Sequence, residues 1–191
     1  FHLMRADVGL DEILARGRIH GWSTRMYLGT DLFLFYGPGF VWLMGLVRLL
    51  TFGAADNATA LTIVTLAGFV LLPAAVAFLA RSLRLSHTAA GIAAVLTALV
   101  SATFGVGMQA VFGVGLITQQ VGAVLWVVCL GCFIRLVHDG GRRWTIATGV
   151  LFAAHALTSP VSVASLLLAC VVALFTLGRP LRAVAGRVLT A

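Results

Sequence analysis

The sequence predicts an all-α, polytopic helical membrane protein, and three observations carry that expectation. Of its 191 residues 61% are hydrophobic, and the mean hydropathy is +1.07, more apolar surface than a soluble domain of this size can bury. The apolar residues fall into long uncharged runs. The thirteen basic residues are all arginines, most of them gathered in short segments between those runs. The net charge of +7 therefore reads as a set of topology determinants and not as a nucleic-acid footprint; the partner it points to is the lipid bilayer. Arginine without lysine suits a high-GC bacterial source and a multi-pass protein of the plasma membrane.

Residues 1–31 are the most polar, with Asp7, Asp11, Glu12 and Asp31 set against Arg5, Arg16, Arg18 and Arg25. Leu3, Leu10, Ile13 and Leu14 have helical spacing, and Gly17 is a stop signal. Residues 32–52 turn apolar but pass through Tyr36-Gly37-Pro38-Gly39 and carry Arg48. Residues 58–80 are uncharged and long enough to cross a bilayer, with a bend expected at Pro73. Further spans are expected at about 88–104, 121–137, 144–158 and 161–177, making a bundle of about five spans over 58–177. The segment 105–118 is Gly-rich and too irregular for a helix. Residues 178–191 space three arginines among apolar residues, the pattern of a helix lying on the cytoplasmic membrane surface.

The arginines supply a topology. The loops 81–87, 135–143 and 179–187 hold eight of the thirteen, and the loops 53–57, 105–118 and 159–160 hold none. Counted from residue 58, each set falls on one side, and the arginine-rich side is cytoplasmic. Residues 53–57 are then extracytoplasmic. Pro38, the neighbouring glycines and Arg48 argue against a crossing at 32–52, so residues 1–57 read as one outer loop with juxtamembrane helices. A chain that opens at Phe1 reads as an internal fragment of a longer membrane protein. Cys129 and Cys132 lie one helical turn apart among apolar residues and read as packing groups. Asn57-Ala58-Thr59 has the form of a glycosylation acceptor, which a bacterial source makes coincidental.

The run "FHLMRADVGLDEILARGRIHGW" with "YGPGF" after it resembles the first outer loop of GT-C-type membrane glycosyltransferases. It is especially similar to the bacterial membrane proteins called 6-pyruvoyl-tetrahydropterin-synthase-related. The matching features are Phe1-His2, Gly17, Trp22 and Tyr36-Gly37-Pro38, with "ARSLRLSHTAAGIAAVL" and "LFAAHALTSP" fitting later elements. The resemblance implies a GT-C-like bundle with a non-spanning first loop. It also implies sugar transfer from a polyprenyl-phosphate donor to an envelope glycan or lipid acceptor at the outer face. The family's acid just before the aromatic–His pair would fall upstream of Phe1, so its place is not represented.

Glycosyl transfer needs a base for the acceptor hydroxyl and a cation for the departing phosphate. Asp7 and Asp11, one turn apart, are the candidate catalytic acids, able to act as base or to hold a divalent metal ion; alternatively they belong to a solvated, ion-paired face with Arg5, Glu12 and Arg16. His2, His20, Arg25, Asp31, Tyr36, Gln119 and His155 are candidate substrate-binding residues. His155 stands out because it lies in an apolar span near its outer end; a hydrogen bond to Thr158 or Ser159 is the structural alternative. Gln109, Gln119 and Gln120 of the outer Gly-rich loop could hydrogen-bond a glycan, with helix capping and interfacial contacts as the alternatives. The rival functions are a transporter or lipid-handling protein and a non-catalytic membrane scaffold.

Overall fold

The computed structural model describes residues 2–18, 21–23, 30–31, 37–101, 106–113 and 117–177. Its architecture is helical. Helix α1 (His2–Ala6) continues as a π-helical stretch over Asp7–Ile13 and a 3₁₀ turn over Leu14–Arg16, and Gly17 ends it at φ +69°. Helices α2 (Gly39–Leu50), α3 (Asn57–Ser82), α4 (His87–Leu99), α5 (Ile117–Asp139), α6 (Arg142–Thr158) and α7 (Val163–Thr176) follow. The Gly-rich segment contains a π-helical turn, Gln109–Gly113. Two-residue strands, β1 (Trp22–Ser23) and β2 (Thr30–Asp31), pair antiparallel.

Helix α3, with 26 residues, and α5, with 23, are long and apolar enough to cross a membrane; α2, α4 and residues 160–176 form shorter apolar helices. Many side chains that face outward are apolar, among them Val70, Leu99, Val150 and Phe175. At 12 residues, α2 rises about 18 Å, short of a crossing. It begins at the Pro38 step and turns back through residues 51–56 to form a hairpin with α3. Phe40, Val41 and Met44 of α2 close a core with Ala6, Leu10, Ala60, Val64 and Val121.

The register between α3 and α5 is fixed by two close approaches. Gly68 of α3 lies against Gln120 and Val121, and Gly131 of α5 lies against Phe78 and Leu79, so the two helices run in the same direction with α4 as the return. At Gly131 a Cβ would stand 2.6 Å from the Phe78 ring. Because Gly68 is the twelfth residue of α3 and Gln120 the fourth of α5, α3 extends about 12 Å beyond the start of α5.

The two ends of the bundle differ in chemistry. At one end Arg135 donates to Ser82 Oγ and to the Arg81 carbonyl, and Asp139 meets both Arg84 and Arg135. Two of the arginine-rich loops are thus joined. At the other end the start of α5 meets two arginine-free segments: Gln120, 1% exposed, accepts from the Gly107 N–H and donates to the Gly68 carbonyl, and Gly122 lies against Ser159. Gln120 therefore turns inward as a structural clip, where the sequence offered it as a possible glycan contact. Arg5 is likewise fully buried and does not belong to a solvated face.

Helix ends are handled locally. Asp56 caps α3, its Oδ1 accepting from the Thr59 N–H at 2.7 Å, and that bond holds its carboxyl below the ordinary value of 3.8. Phe52 and Arg84 stand at positive φ just past the ends of α2 and α3. Arg84 sits where glycine is usual: the Leu85 N–H returns to the Ala80 carbonyl and the Arg84 N–H to that of Arg81.

Three outcomes are expected. Gly37 packs so closely that a Cβ would drive into the Leu157 carbonyl; Gly37→Ala should destabilise by about 1–3 kcal/mol, read as a lower thermal midpoint in detergent. Gly149, inside α6 with nothing near its Cβ direction, is the contrast, and Gly149→Ala should stabilise by about 0.5–1 kcal/mol. The depressed Asp56 carboxyl stabilises α3 while ionised. That contribution is complete above the unfolded value of 3.8 and is lost as pH falls through the lower folded value; Asp56→Asn should remove this part of the acid sensitivity in a pH-resolved melting series.

Candidate functional site

The π-helical stretch that follows α1 carries Asp7 and Asp11 on one side, toward the α2–α3 hairpin. Asn57, the first residue of α3, donates from Nδ2 to Asp7 Oδ1 at 2.7 Å and to Asp11 Oδ2 at 3.0 Å. Arg48 of α2 donates from Nη1 to Asp11 Oδ1 at 2.6 Å and to Asn57 Oδ1 at 3.0 Å. The orientation of the Asn57 amide follows from its neighbours. Reversed, it would turn its oxygen on two carboxylates and its NH₂ on a guanidinium.

This arrangement distinguishes the two acids. Asp11, with a side chain 51% exposed, has both oxygens engaged, one by Arg48 and one by Asn57. Asp7 is half-buried and commits only Oδ1, leaving Oδ2 without a partner among the described residues. Arg48 makes both its bonds through Nη1, so its Nη2 and Nε edge faces no partner among them either. One carboxylate oxygen and one edge of a guanidinium are therefore held ready by a shared carboxamide. Arg48 resolves its apparent misfit in an apolar run by pairing at the end of the hairpin. Asn57 is enclosed by this network.

Arg48 stands between Val47 and Leu50, which line an apolar groove of about 250 Å³. Leu43 and Leu46 of α2, Ile63 and Leu71 of α3, and Val124 of α5 continue its walls. The polar cluster and the groove share the α2–α3 hairpin.

His155 belongs to a second cluster. It is fully buried in the last turns of α6, its Nδ1 is 3.1 Å from the Gly122 carbonyl and its Nε2 is 3.0 Å from Ser162 Oγ. A carbonyl only accepts, so Nδ1 carries the proton of the neutral ring and Nε2 accepts from Ser162. Ser162 also lies 2.9 Å from both the carbonyl and the hydroxyl of Ser159. The sequence's structural alternative named Thr158 or Ser159 as partner; Thr158 instead bonds the Ala154 carbonyl, and the interhelical partner is Gly122. Both ring nitrogens are used to join α6 to α5 and to the start of α7. Gln119, exposed, and Ser162 line a neighbouring cleft of about 200 Å³ with Trp126.

The expected site residues thus divide. Asp7 and Asp11 come together; His155 and Gln119 gather some nine residues away along α2, about 14 Å by helical rise, because Gly39 abuts Thr158 while Arg48 abuts Asp11. His2, edge-on to the Phe40 ring at 5.9 Å, sits near the first residues of α2. Asp31 is placed by its backbone in β2, opposite Trp22. His20, Arg25 and Tyr36 lie outside the described residues, as do residues 178–191. Sequence reasoning missed Arg48, Asn57 and Ser162 as site residues. For Arg48 a signal existed, since a guanidinium in an apolar run requires an acid; with Asp56 and Asp31 nearer in the chain, the sequence did not say that the acid is Asp11.

Among the described residues no three His, Cys, Asp or Glu side chains converge to hold a metal ion. A divalent cation bridging Asp7 and Asp11 would have to displace either Arg48 or Asn57 Nδ2 from Asp11 and would stand beside the Arg48 guanidinium, so this donor set is a poor fit for one. No family model, no curated protein and no solved structure matches the chain.

Removing the carboxamide tests the network. Asn57→Ala strips one charged hydrogen bond from each acid and should destabilise by about 1.5–3 kcal/mol. Asn57→Asp, which sets a third carboxylate among two, should be worse, with chemical denaturation ranking the pair.

Proposed function

We propose that the chain is part of a multi-pass, GT-C-like glycosyltransferase of a bacterial plasma membrane, moving a sugar from a polyprenyl-phosphate donor to an envelope glycan or lipid acceptor at the outer face. One observation carries the reading: an uncommitted carboxylate oxygen and an uncommitted guanidinium edge are held together on a helical hairpin that also forms an apolar groove. That combination suits a ligand with a phosphate at one end of a long hydrocarbon chain.

In this reading the polyprenyl chain lies along Leu46, Leu50, Ile63 and Leu71, and the Nη2/Nε edge of Arg48 receives the phosphate. Asp7 Oδ2 accepts the proton of the acceptor hydroxyl as its oxygen attacks the anomeric carbon. The bond between that carbon and the phosphate oxygen breaks, and the polyprenyl phosphate leaves with its electron pair, its charge met by Arg48. Asp11 and Asn57 are positioning residues: they orient Arg48 and one oxygen of Asp7. His155 acts at a distance, by fixing the α6 end on which α2 begins. Membrane residence is supported by the two long apolar helices and by the separation of arginine-rich from arginine-free ends.

The groove also favours a second reading, a lipid-handling protein that holds the same ligand without chemistry. The full-length protein, reconstituted with a polyprenyl-phosphate sugar and acceptor, separates the two. Asp7→Asn should lower kcat by about 10²- to 10⁴-fold with the donor still bound, and Arg48→Gln should chiefly raise the donor KM. Donor binding without turnover in the unaltered protein would favour the lipid-handling reading, and full turnover in Asp7→Asn would remove Asp7 as the base.

A further inference from the structure

The opposite end of the bundle carries charge that the proposed reaction does not use. Arg81 and Arg135 are internal clamps: Arg81 Nη1 reaches the Leu85 carbonyl and Arg135 bridges to Ser82, Arg81 and Asp139. Arg84, Arg142 and Arg143 instead point outward. The Arg84 side chain is 63% exposed, and Arg142 and Arg143 are exposed at the start of α6. Asp139 is the sole acid in the chain beyond Asp56, and Arg84 shares it at 3.6 Å with Arg135. The patch is left strongly cationic.

Two further observations give it a direction. Arg84 holds a φ of +64° at a helix-ending position where glycine fits without strain, so the chain retains a cationic side chain at a site that disfavours any side chain. Next to Arg143, whose guanidinium lies 5.0 Å over the Trp144 ring, Trp144 Nε1 and Thr148 Oγ1 are shielded and have no hydrogen-bond partner among the described residues. These two sit one turn apart on α6, and Trp144 also packs on Phe78 of α3. Cations outermost, a tryptophan ring directly behind them and apolar helix beyond match the order of groups along a phospholipid: phosphate, glycerol ester, acyl chain.

We propose that this end of the bundle binds an anionic phospholipid, its headgroup phosphate held by Arg84, Arg142 and Arg143 and its ester region lying against Trp144. The inference rests on the membrane reading but not on glycosyl transfer. Three outward guanidiniums beside one shared carboxylate favour an anionic headgroup over a zwitterionic one.

The test uses the full-length protein in bilayer nanodiscs of POPC and of a POPC–POPG mixture, with retained lipid counted by native mass spectrometry and stability read by thermal melting. POPG should be retained in preference to POPC, and added salt should weaken the preference. Arg84→Gly is the informative variant: it should lower POPG retention roughly fivefold while leaving the melting midpoint unchanged or higher, because glycine relieves the backbone. Arg142→Gln and Arg143→Gln should each lower retention by a similar factor. Equal retention of POPG and POPC by the unaltered protein would overturn the proposal, as would an unchanged POPG preference in the triple variant. Recovery of the protein in the soluble fraction would overturn the membrane reading and this inference together.

Discussion

The last turn of α6 is the point on which the rest of the structure closes. Leu157 and Thr158 receive the backbone of Gly37 and Gly39, with Gly39 so near that a Cβ would stand 2.5 Å from Thr158 Oγ1. Ser159 packs on Gly122 of α5, where a Cβ would approach to 2.7 Å. His155 joins the Gly122 carbonyl to Ser162. The polar backbone groups freed where α6 breaks before Pro160 are met within the same knot: the Ser159 N–H donates to the His155 carbonyl and the Ser162 N–H donates to the Ser159 carbonyl. In an apolar surrounding such groups must be satisfied internally, so the break itself dictates which side chains stand here.

From that knot α2 is aimed, and α2 in turn carries Arg48 to the acids. The polar cluster depends on each member for a different reason. Asp11 orients the guanidinium, Asn57 bridges unlike groups because an amide has both a donor and an acceptor face, and Asp7 retains an open oxygen because the other two satisfy each other. The consequence is a division of labour between two acids that the sequence treats as equivalent.

Much of the scaffold was legible in the pattern of residues. The runs at 58–80, 121–137, 144–158 and 161–177 coincide closely with α3, α5, α6 and the 160–176 helix, since long uncharged stretches leave no other choice. The run at 88–104 was read too long; α4 ends at Leu99, before the segment tethered by Gln120. Gly17 does end the first helical segment. What the pattern could not show was pairing across distance. Nothing near Asn57 in sequence hints that it meets residues 46 and 50 positions earlier, and His155 looks like an outward-facing group until Gly122 is placed beside it. Spacing reports which residues share a helix face; only the crossing of helices reports which faces meet.

The stagger between α3 and α5 works as a measure of height. With the first turns of α3 projecting past the start of its neighbour, Asp7, Arg48 and Asn57 stand on a pedestal above the level at which α5 begins and α6 ends. In the proposed reading, a hydrocarbon tail in the groove stays at that lower level while its polar head is lifted toward the outer face. The length of the overhang, rather than any lid, would then set how far a bulky hydrophilic acceptor must descend to be reached.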